Sequence, residues 1–435
     1  MKTISIVGLG YIGLPTGVVA ALSGYKVFGF DIDIKKVESI NLGQPLIEED
    51  GLQEKLFAVL ANNSFKSFDS LQPADCFVIA VPTPFLRQFA SGSSKQADLS
   101  YVFDAAKKIA LVLKKGDLVI LESTVSVGTT LKIARFLEKE TSLILSKDFF
   151  VAHCPERVLP GRIFKELVCN DRVVGGVCKQ SGLMAKEFYS KFVEGKIYIT
   201  DDKTAEMIKL VENSYRDVNI AFANEVSAMA KDINIDPFRV IELANKHPRV
   251  NILNPGCGVG GHCIAVDPWF LIQTFPKNSQ MIRTARLIND SKPYLVIDNV
   301  LNKIKQTGLK KPKILALGLT FKPDVDDLRG SSALKISKEL NNKKEYLELA
   351  VVEPNLKEAT LRDFGFKYFK NLSGAVEWAD IILILVSHKK FFELKFFDLE
   401  NKFIIDECGL LYQQNKLNED LFVSDIKLGN KNLTI

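Results

Sequence analysis

The opening stretch of the chain constrains its fold most strongly. A short apolar run, Thr3 to Val7, leads directly into a glycine motif, Gly8 to Gly13 (GLGYIG), and the pattern then predicts a helix over Leu14 to Leu22. A second apolar run, Lys26 to Phe30, ends in Asp31. Strand, G-x-G-x-x-G, helix, second strand and acid in this order are typical of a dinucleotide-binding βαβ unit.

Each residue type in this unit has a physical task. Gly8 allows the tight turn, Gly10 lets a pyrophosphate approach the backbone, and Gly13 lets the helix pack closely on the strand. The N–H groups at the start of the helix then bind the phosphates. Asp31 is expected to accept hydrogen bonds from the ribose hydroxyls, and its charge disfavours a 2′-phosphate. Asp33 competes for this task, but Asp31 stands at the strand end. The unit therefore predicts NAD as the cofactor.

Three further apolar runs predict strands that end in polar residues. The runs are Cys76 to Val81, Leu118 to Leu121 and Phe149 to Ala152, and the residues that follow them include Thr83, Thr124 and Glu156. Ligands of open parallel sheets bind beyond the carboxyl ends of the strands. Thr83 and Thr124 are thus expected to face the cofactor, with ordinary helix capping as the alternative. Glu156 lies at the correct edge for a catalytic role.

A long helix is predicted from Asp201 to about Ile233, because this stretch has an acidic start and no proline or glycine. It is longer than one small domain needs, so we expect it to connect two domains and to contribute to a subunit interface. Lys209 and Asn213 are four residues apart and lie on one face of this helix. They are either part of a solvated face or a base and an orienting amide in a cleft.

The segment Asn254 to Phe270 (NPGCGVGGHCIAVDPWF) is dense in glycine and leads into Cys263 and Asp267. Glycine at this density lets the backbone approach another molecule closely. A cysteine at the end of such a loop can contact a ligand, and a nearby carboxylate can move protons for it. The alternative is a tight turn with a buried structural cysteine.

The last third of the chain repeats the strand pattern of the first third. KILALG at 313–318 resembles TISIVG at 3–8, and LELAVVEP at 347–354 resembles the segment that ends at Asp31. We therefore predict an α/β protein with two doubly wound, Rossmann-like parallel-sheet domains joined by a long central helix. The second half lacks G-x-G-x-x-G. Its loop carries Lys322 and Arg329, which suit a phosphate-bearing ligand or else form surface salt bridges.

Composition excludes several other classes of protein. The net charge is only +5 and the basic residues are scattered, so no nucleic acid or membrane partner is expected. The apolar N-terminus is assigned to the first βαβ unit rather than to a signal peptide. The seven cysteines are spread irregularly, which favours a reducing compartment and a cytoplasmic location over a disulfide framework.

Taken together, the motifs resemble the nucleotide-sugar 6-dehydrogenase family, which includes UDP-glucose dehydrogenase. The matching segments occur in the family's order and span nearly the whole chain. They are GLGYIG (8–13), FDID (30–33), VPTP (81–84), ESTV (122–125), CPERVLPG (154–161), KLVENSYR (209–216), GGHCIAVDP (260–268) and GLTFKPDVDDLRGSS (318–332). Within the family, residues 154–162 and 247–270 are most similar to the UDP-N-acetyl-D-mannosamine branch, and UDP-N-acetylglucosamine or UDP-glucose is the alternative substrate.

The resemblance implies a four-electron oxidation of the sugar C6 hydroxyl by two NAD. A base assisted by Lys209, Asp267 and an ordered water removes the hydroxyl proton, and Cys263 attacks the resulting aldehyde as a thiolate. Lys209 and Asn213 stabilise the oxyanion. Hydrolysis of the thioester then uses Glu156 or Asp267, with help from Thr124. The product is expected to serve bacterial surface polysaccharide synthesis.

The resemblance also implies the binding residues. Those expected to contact NAD are Gly8, Gly10, Tyr11, Ile12, Gly13, Asp31, Lys36, Thr83, Thr124 and Arg329. Those expected to contact the UDP-sugar are Glu156, Arg157, Lys209, Asn213, Arg249, Gly260, Phe321 and Lys322, with Arg249 reaching a partner subunit. Two features depart from the family pattern: Cys257 replaces a proline, and the arginine that usually follows the last strand is missing from residues 406–409, near Glu407.

The implied organisation has three parts. Residues 1–198 form the NAD-binding domain, residues 199–300 the central helical and dimerisation region with the cysteine loop, and residues 301–435 the UDP-sugar-binding domain. A homodimer or higher homo-oligomer is expected, without a metal. Two other classes stay open: a zinc alcohol dehydrogenase that uses the His153-Cys154 and His262-Cys263 pairs, which are poor chelates, and a non-catalytic NAD-binding regulator.

Overall fold

A computed structural model describes residues 1–47, 49–86, 96–159 and 161–416. The chain divides into two compact units. Unit 1 contains Met1–Glu212 and Trp269–Asn278, and unit 2 contains Asn213–Pro268 and the chain from Ser279 onward. Each unit is built on its own open sheet, so the predicted α/β class with two doubly wound sheets is confirmed.

Unit 1 has an eight-stranded sheet in the order β3-β2-β1-β4-β5-β6-β7-β8. Its strands are β1 Thr3–Val7, β2 Lys26–Phe30, β3 Phe65–Phe68, β4 Cys76–Ile79, β5 Leu118–Leu121, β6 Phe150–His153, β7 Arg172–Gly176 and β8 Ile197–Asp201. Its helices are α1 Gly13–Leu22, α2 Ile34–Asn41, α3 Leu52–Ala61, α4 Ser100–Ala110, α5 Thr129–Thr141, α6 Ile163–Cys169 and α7 Lys179–Tyr189.

The strands of unit 1 are apolar on both faces because helices cover both faces. Ile4 and Ile6 of β1 belong to one buried cluster, whereas Val7 belongs to another on the opposite face. Such continuous apolar strands are characteristic of doubly wound sheets. The alternation fixes the register, since a slip by one residue would exchange the two faces.

One pairing in this sheet runs against the others. Strands β6 and β7 are antiparallel, with Ala152 opposite Gly176 and His153 opposite Gly175. The sequence analysis did not assign the strands β3, β7 and β8. Smaller differences concern strand ends, since β4 ends at Ile79 rather than at Val81.

The middle of the chain is helical. Its helices are α8 Asp202–Asp232, α9 Pro237–Ala244, α10 Asp267–Thr274 and α11 Gln280–Thr307. The predicted long helix is thus present as α8, within one residue of its expected bounds. Most of α10 belongs to unit 1, where Phe270 makes an edge-to-face contact with Phe85 at a centroid distance of 6.3 Å.

Unit 2 has a five-stranded sheet in the order β11-β10-β9-β12-β13, with all pairings parallel. Its strands are β9 Lys313–Leu317, β10 Glu348–Val352, β11 Lys367–Tyr368, β12 Ile381–Ile384 and β13 Phe403–Asp406. Its further helices are α12 Ser332–Asn341, α13 Glu358–Asp363 and α14 Leu372–Trp378, and a 3₁₀ segment covers Lys389–Phe396. The strand order repeats that of the first five strands of unit 1. None of the helices in the described residues is both long and apolar enough to cross a membrane.

Candidate functional site

The turn between β1 and α1 is shaped to accept an anion. Gly8 has φ +96°, and a Cβ there would lie 2.8 Å from the carbonyl oxygen of Ala80. A Cβ on Gly13 would overlap the carbonyl oxygen of Gly8, whereas no heavy atom lies within 4 Å of the Cβ position of Gly10. Among the described residues no side chain caps the start of α1 at Ile12. The first N–H groups of α1 therefore suit a phosphate.

Asp31 stands at the carboxyl end of β2, directly beside this turn. Its carboxylate accepts hydrogen bonds from the N–H of Leu9 (2.9 Å) and of Asp33 (3.1 Å). The Nζ of Lys36 lies 2.8 Å from the same carboxylate. The structure thus brings Gly8, Asp31 and Lys36 together. This glycine turn with an acid at the end of β2 fits the pyrophosphate and ribose of NAD.

The ends of β4 and β5 are tied to each other. Thr83 donates its hydroxyl to the carbonyl oxygen of Thr124 at 2.7 Å, and Ser123 donates to the carbonyl oxygen of Val81 at 2.7 Å. Both predicted cofactor-facing threonines therefore lie side by side at the carboxyl edge of the unit 1 sheet. The Thr83 side chain holds a neighbouring strand end and does not cap a helix.

Glu156 follows β6 at the same edge and is 9% exposed. Its Oε2 accepts a hydrogen bond from Nη2 of Arg172 at 2.8 Å, and its Oε1 accepts one from the N–H of Arg157 at 2.7 Å. The backbone carbonyl of Glu156 accepts a hydrogen bond from Nζ of Lys209 at 2.6 Å. Two predicted catalytic residues, Glu156 and Lys209, are therefore direct neighbours.

The guanidinium of Arg157 is held within unit 1. Its Nη1 lies 2.7 Å from Oε1 of Glu212, and its Nη2 donates to the carbonyl oxygen of Asp171. A substrate-binding role for Arg157 stays a prediction.

In unit 2, the cysteine loop, defined as residues 254–267, is anchored at both ends. The N–H of Gly256 donates to Oδ1 of Asn224 at 3.0 Å. At the other end, the carbonyl of Cys263 accepts hydrogen bonds from the N–H groups of Val266 (2.9 Å) and Asp267 (2.8 Å). These bonds close a turn that presents the half-exposed Cys263 just ahead of α10.

Asp267 is buried, with 3% of its surface exposed, and its Oδ2 accepts a hydrogen bond from Nδ2 of Asn213 at 2.5 Å. The structure thus brings three predicted catalytic residues together in unit 2: the Asn213 amide donates to the Asp267 carboxylate, and the N–H of Asp267 donates to the backbone carbonyl of Cys263. Nucleophile, carboxylate and amide within one loop and one helix turn are the groups that acyl chemistry on a thiol needs.

The glycines of the cysteine loop pack on the loop that follows β9. A Cβ on Gly260 would lie 2.7 Å from Cβ of Phe321 and 2.9 Å from the carbonyl oxygen of Gly330. The N–H of Gly261 donates to the carbonyl oxygen of Arg329 at 2.9 Å. Glycine is therefore required here by the close approach of the protein's own backbone, whereas the sequence analysis predicts that Gly260 contacts the UDP-sugar.

The basic residues of the loop after β9 have partners within unit 2. Nζ of Lys322 lies 5.7 Å from the centroid of the Phe321 ring. Arg329 binds Asp327 through Nε and Nη2, the closest distance being 2.6 Å. Burial raises the pKa of Asp327, but the hydrogen bonds from Arg329 outweigh it, so the pKa is lowered overall. Arg249 is exposed in the turn after α9. Ligand contacts by these residues stay predictions.

The structure also contains a buried cluster that the sequence analysis missed, at the carboxyl edge of the unit 2 sheet. Glu353 accepts hydrogen bonds from the N–H groups of Leu319 (2.7 Å) and Thr320 (3.2 Å). Nε2 of His388 lies 3.1 Å from Glu353, and Nδ1 of His388 accepts the N–H of Asp324 at 2.9 Å. Histidine directly after an apolar strand was a usable signal for this cluster, since a buried histidine needs a polar partner.

All seven cysteines are free thiols. Burial raises the pKa of Cys154 to about 11 and that of Cys257 to about 12, and it also raises the pKa of Cys76 and of Cys408. For Cys178, burial is outweighed by hydrogen bonds from Ser146, Ser181 and Gln180, which lower its pKa. In the described part of the chain, no group of three or more His, Cys, Asp and Glu side chains is arranged to hold a metal ion.

Comparison with known families agrees with this geometry. Residues 2–193 match the NAD binding domain of the UDP-glucose/GDP-mannose dehydrogenase family, residues 203–291 its central domain and residues 315–413 its UDP binding domain. The chain belongs to this family. It is an NAD-dependent nucleotide-sugar dehydrogenase, as the sequence motifs predicted.

Individual relatives cover almost the whole chain. UDP-N-acetyl-D-mannosamine dehydrogenase of Campylobacter jejuni is 46% identical over 90% of this chain and 97% of its own length. NDP-N-acetyl-D-galactosaminuronic acid dehydrogenase of Ralstonia solanacearum is 44% identical over 94% of this chain and 96% of its own. The solved structure of a UDP-D-ManNAc dehydrogenase from Pyrococcus horikoshii has a TM-score of 0.85 at 39% identity and covers 94% of this chain and 96% of its own.

Proposed function

We propose that this nucleotide-sugar dehydrogenase oxidises the C6 hydroxyl of UDP-N-acetyl-D-mannosamine to the carboxylate, with two NAD consumed per sugar. The observation that carries the chemistry is the turn in unit 2 where the N–H of Asp267 donates to the backbone carbonyl of Cys263 at 2.8 Å and the Asp267 carboxylate accepts a hydrogen bond from Asn213 at 2.5 Å. A half-exposed thiol on the same turn as a buried carboxylate that is paired with an amide suits a reaction that passes through an acyl-enzyme. An oxidation that ends at the aldehyde has no use for it.

The first oxidation needs a group that takes the hydroxyl proton. Asp267, with Lys209 and an ordered water, would remove it, and NAD held at the glycine turn and Asp31 would supply the hydride acceptor. The Nζ of Lys209 donates a hydrogen bond to the carbonyl oxygen of Glu156 at 2.6 Å. This bond positions the lysine to stabilise a developing alkoxide.

The second oxidation proceeds on the enzyme. The thiolate of Cys263 forms a bond to the aldehyde carbon, and Lys209 and Asn213 stabilise the oxyanion of the thiohemiacetal. A second hydride transfer leaves a thioester. Water, activated by Glu156 or Asp267 and oriented by Thr124, adds to the carbonyl carbon, and the C–S bond breaks to return the thiolate of Cys263.

The choice of sugar rests on the relatives. Several UDP-N-acetyl-D-mannosamine dehydrogenases are 43–46% identical to this chain over at least 90% of its length. The Ralstonia solanacearum relative, which is named for an N-acetylgalactosaminuronic acid, has a similar identity of 44%. An N-acetylated UDP-hexosamine is thus favoured over UDP-glucose, and the galacto epimer is the second candidate.

For binding, Phe321, Lys322 and Gly260 hold the UDP-sugar, and Arg329 contacts the cofactor. We propose domain boundaries at residues 198/199 and 300/301. The matched ranges of the family's three domains support this division.

We further propose a homodimer or higher homo-oligomer, with Arg249 reaching the partner subunit. In unit 2, α8 exposes a stripe of large apolar side chains at a spacing of seven or four residues, namely Tyr215, Phe222 and Met229, with Ile233 just beyond the helix end. Such a stripe on a helix favours packing against a second copy. A cytoplasmic location and a role in bacterial surface polysaccharide synthesis complete the proposal.

The test is NADH stoichiometry, followed by absorbance at 340 nm with excess NAD and a limiting UDP-sugar. UDP-N-acetylmannosamine, UDP-N-acetylgalactosamine, UDP-N-acetylglucosamine and UDP-glucose are compared. Two NADH per UDP-N-acetylmannosamine, with much lower kcat/KM for the others, is the expected result. One NADH per sugar would contradict the acyl-enzyme route, and preference for another sugar would change the substrate alone.

The variant Cys263→Ser is expected to lose complete turnover, because a hydroxyl is far less acidic than a thiol and does not form the acyl-enzyme. Cys178→Ser is the matched control, since serine preserves the cap that Cys178 provides at the start of α7. Normal steady-state turnover by Cys263→Ser would refute the covalent mechanism.

A further inference from the structure

A buried cluster of charged and polar side chains lies behind Glu156 in unit 1. It consists of Glu122, Glu156, Arg172 and Tyr189, and each of them is at most 9% exposed. Arg172 is its centre: Nη2 lies 2.8 Å from Oε2 of Glu156, and Nη1 lies 3.6 Å from Sγ of Cys154. The motifs that predicted the site do not include Arg172.

The reversed strand explains why an arginine reaches this place. The functional groups of the unit 1 sheet lie at the carboxyl ends of its parallel strands. The first residue of a parallel strand lies at the opposite edge of the sheet, away from these groups. Strand β7 is antiparallel to β6, with His153 opposite Gly175. Continuing that register sets Arg172, the first residue of β7, opposite Glu156, where the ion pair is found. The reversal therefore delivers a cation to the functional edge.

The cluster fixes Arg172 from its other side. The guanidinium carbon lies 4.6 Å from the centroid of the Tyr189 ring, and the Tyr189 hydroxyl donates to Oε1 of Glu122 at 2.7 Å. Burial, together with the negative charge of Glu156, raises the pKa of Glu122 to about 7. Glu156 is thus the carboxylate that forms the ion pair with Arg172, whereas Glu122 accepts the hydrogen bond from the Tyr189 hydroxyl.

A buried arginine is costly unless it is paired, and a carboxylate whose charged partner is removed is left buried and uncompensated. Here the pair does more than balance charge. Arg172 holds one oxygen of Glu156, and the N–H of Arg157 holds the other at 2.7 Å. The carboxylate is therefore fixed in direction as well as in charge.

We propose that Arg172 is a positioning residue that aims the ionised carboxylate of Glu156 at the water that hydrolyses the thioester. This inference rests on the proposed function, in which Glu156 takes a proton from that water. The oxygen of the water bonds to the thioester carbon, the thiolate of Cys263 leaves, and Glu156 carries the proton. Arg172 acts through Glu156, and Tyr189 and Glu122 hold it in place.

The experiment separates hydrolysis from the steps before it. Arg172→Met, Arg172→Lys and Glu156→Gln are mixed rapidly with NAD and the UDP-sugar that gives two NADH in the wild type. NADH formation is followed by absorbance at 340 nm, and the mass of the acid-quenched protein is measured by intact mass spectrometry. Thermal melting of each variant establishes that it is folded.

For Arg172→Met we expect a burst of two NADH per active site, followed by a steady state about 100-fold slower than the wild type. Most of the quenched protein should carry the mass of the acyl-enzyme, as in Glu156→Gln. Arg172→Lys should restore part of the rate, because it retains the charge but not the planar guanidinium whose two nitrogens contact Glu156 and Cys154. The Kd for NAD should stay within threefold of the wild-type value.

The outcomes separate the two proposals. If Glu156→Gln accumulates acyl-enzyme and a folded Arg172→Met does not, the role of Arg172 is refuted while the proposed function stands. If neither Glu156→Gln nor the wild type ever forms an acyl-enzyme, the proposed function itself fails.

Tyr189→Phe covers the case in which Arg172→Met does not fold. It removes only the hydroxyl bond to Glu122 and keeps the ring under Arg172, so it should show a smaller slowing of hydrolysis with a detectable burst. Arg286→Met is the matched control, because Arg286 forms an equally buried ion pair with Asp217 in unit 2. It should lower the melting temperature without accumulating acyl-enzyme. Accumulation in Arg286→Met, or no burst in Tyr189→Phe, would contradict the proposal.

Discussion

The two sheets use the same strand order for different purposes. In unit 1, β1 ends at Val7 and α1 begins at Gly13, so a short glycine turn leads straight into a helix. In unit 2, β9 ends at Leu317 and α12 begins at Ser332, and a longer loop occupies the same place. The short turn leaves helix N–H groups for a phosphate, whereas the long loop packs its own side chains over the edge.

The acid after the second strand shows the same contrast. Asp31 and Glu353 both accept the N–H of the residue after the turn glycine, Leu9 or Leu319. Asp31 also pairs with Lys36, whose side chain is 27% exposed. Glu353 instead pairs with His388, which is fully buried. A half-exposed lysine moves aside at little cost, and a buried histidine does not. One acid is therefore accessible to a ligand, and the other stabilises its own domain.

The largest expected effect tests the short turn. Gly13→Ala places a Cβ on the carbonyl oxygen of Gly8, so it should lower stability by about 1–3 kcal/mol and abolish NAD binding. Gly10→Ala has no protein atom to meet, so its melting temperature should stay unchanged while NAD affinity falls. Differential scanning fluorimetry and titration with NAD measure both. Equal loss of stability in the two variants would show that the space at Gly10 is not kept for a ligand.

A smaller effect tests the two acids against each other. Asp31→Ala should weaken NAD binding about tenfold or more, because hydrogen bonds to a charged group contribute roughly 1.5–3 kcal/mol. Glu353→Gln should leave the NAD Kd unchanged and weaken UDP binding, since the loop after β9 loses the carboxylate that accepts the N–H groups of Leu319 and Thr320. Isothermal titration with NAD and with UDP gives the four constants. An unaltered NAD Kd in Asp31→Ala would remove Asp31 from the cofactor site.

The smallest effect is a difference in pH dependence of stability. Burial holds the pKa of Glu122 near 7, above its unfolded value. The contribution of Glu122 to the stability of the fold is therefore complete below the unfolded pKa and is lost as the pH rises through 7. Glu122→Gln should therefore be stabilised relative to the wild type at pH 8 and not at pH 5.

Glu353 should behave in the opposite way. Burial raises its pKa, but the hydrogen bond and charge of His388 outweigh it and lower the pKa overall. The contribution of Glu353 to the stability of the fold is present above its unfolded pKa and is lost as the pH falls through its pKa in the folded protein. Glu353→Gln should thus destabilise at pH 7 and progressively less toward pH 4. Thermal melts across pH check both signs, and parallel behaviour of the two variants would contradict the contrast.

The sequence was sufficient for what local pattern determines. The glycine turn, the ends of β1 and β2, the helix α8 and the repeated strand order in unit 2 all follow from periodicity and turn residues. The neighbouring positions of Thr83 and Thr124 follow from sheet topology, because parallel strand ends meet at one edge.

What the sequence did not reveal depends on pairing across the fold. The reversal of β7 has no local signature, so Arg172 was indistinguishable from any arginine beside a strand. Likewise the sequence predicts a ligand contact for Gly260. In the structure, the backbone of Gly330 and the side chain of Phe321 leave no space for a side chain at this position. To pair His388 with Glu353 requires knowledge that β10 and β12 lie on the two sides of β9.

The range of thiol acidity across the chain has a consequence for chemical labelling. The thiolate is the species that reacts with electrophiles, so the raised pKa values of Cys76, Cys154, Cys257 and Cys408 protect them in the native protein. Electrophiles are left with the exposed Cys169, the acidified Cys178 and Cys263. A covalent inhibitor aimed at Cys263 therefore has to discriminate against Cys178, and inactivation by a thiol reagent identifies the nucleophile only when Cys178→Ser is used as the background.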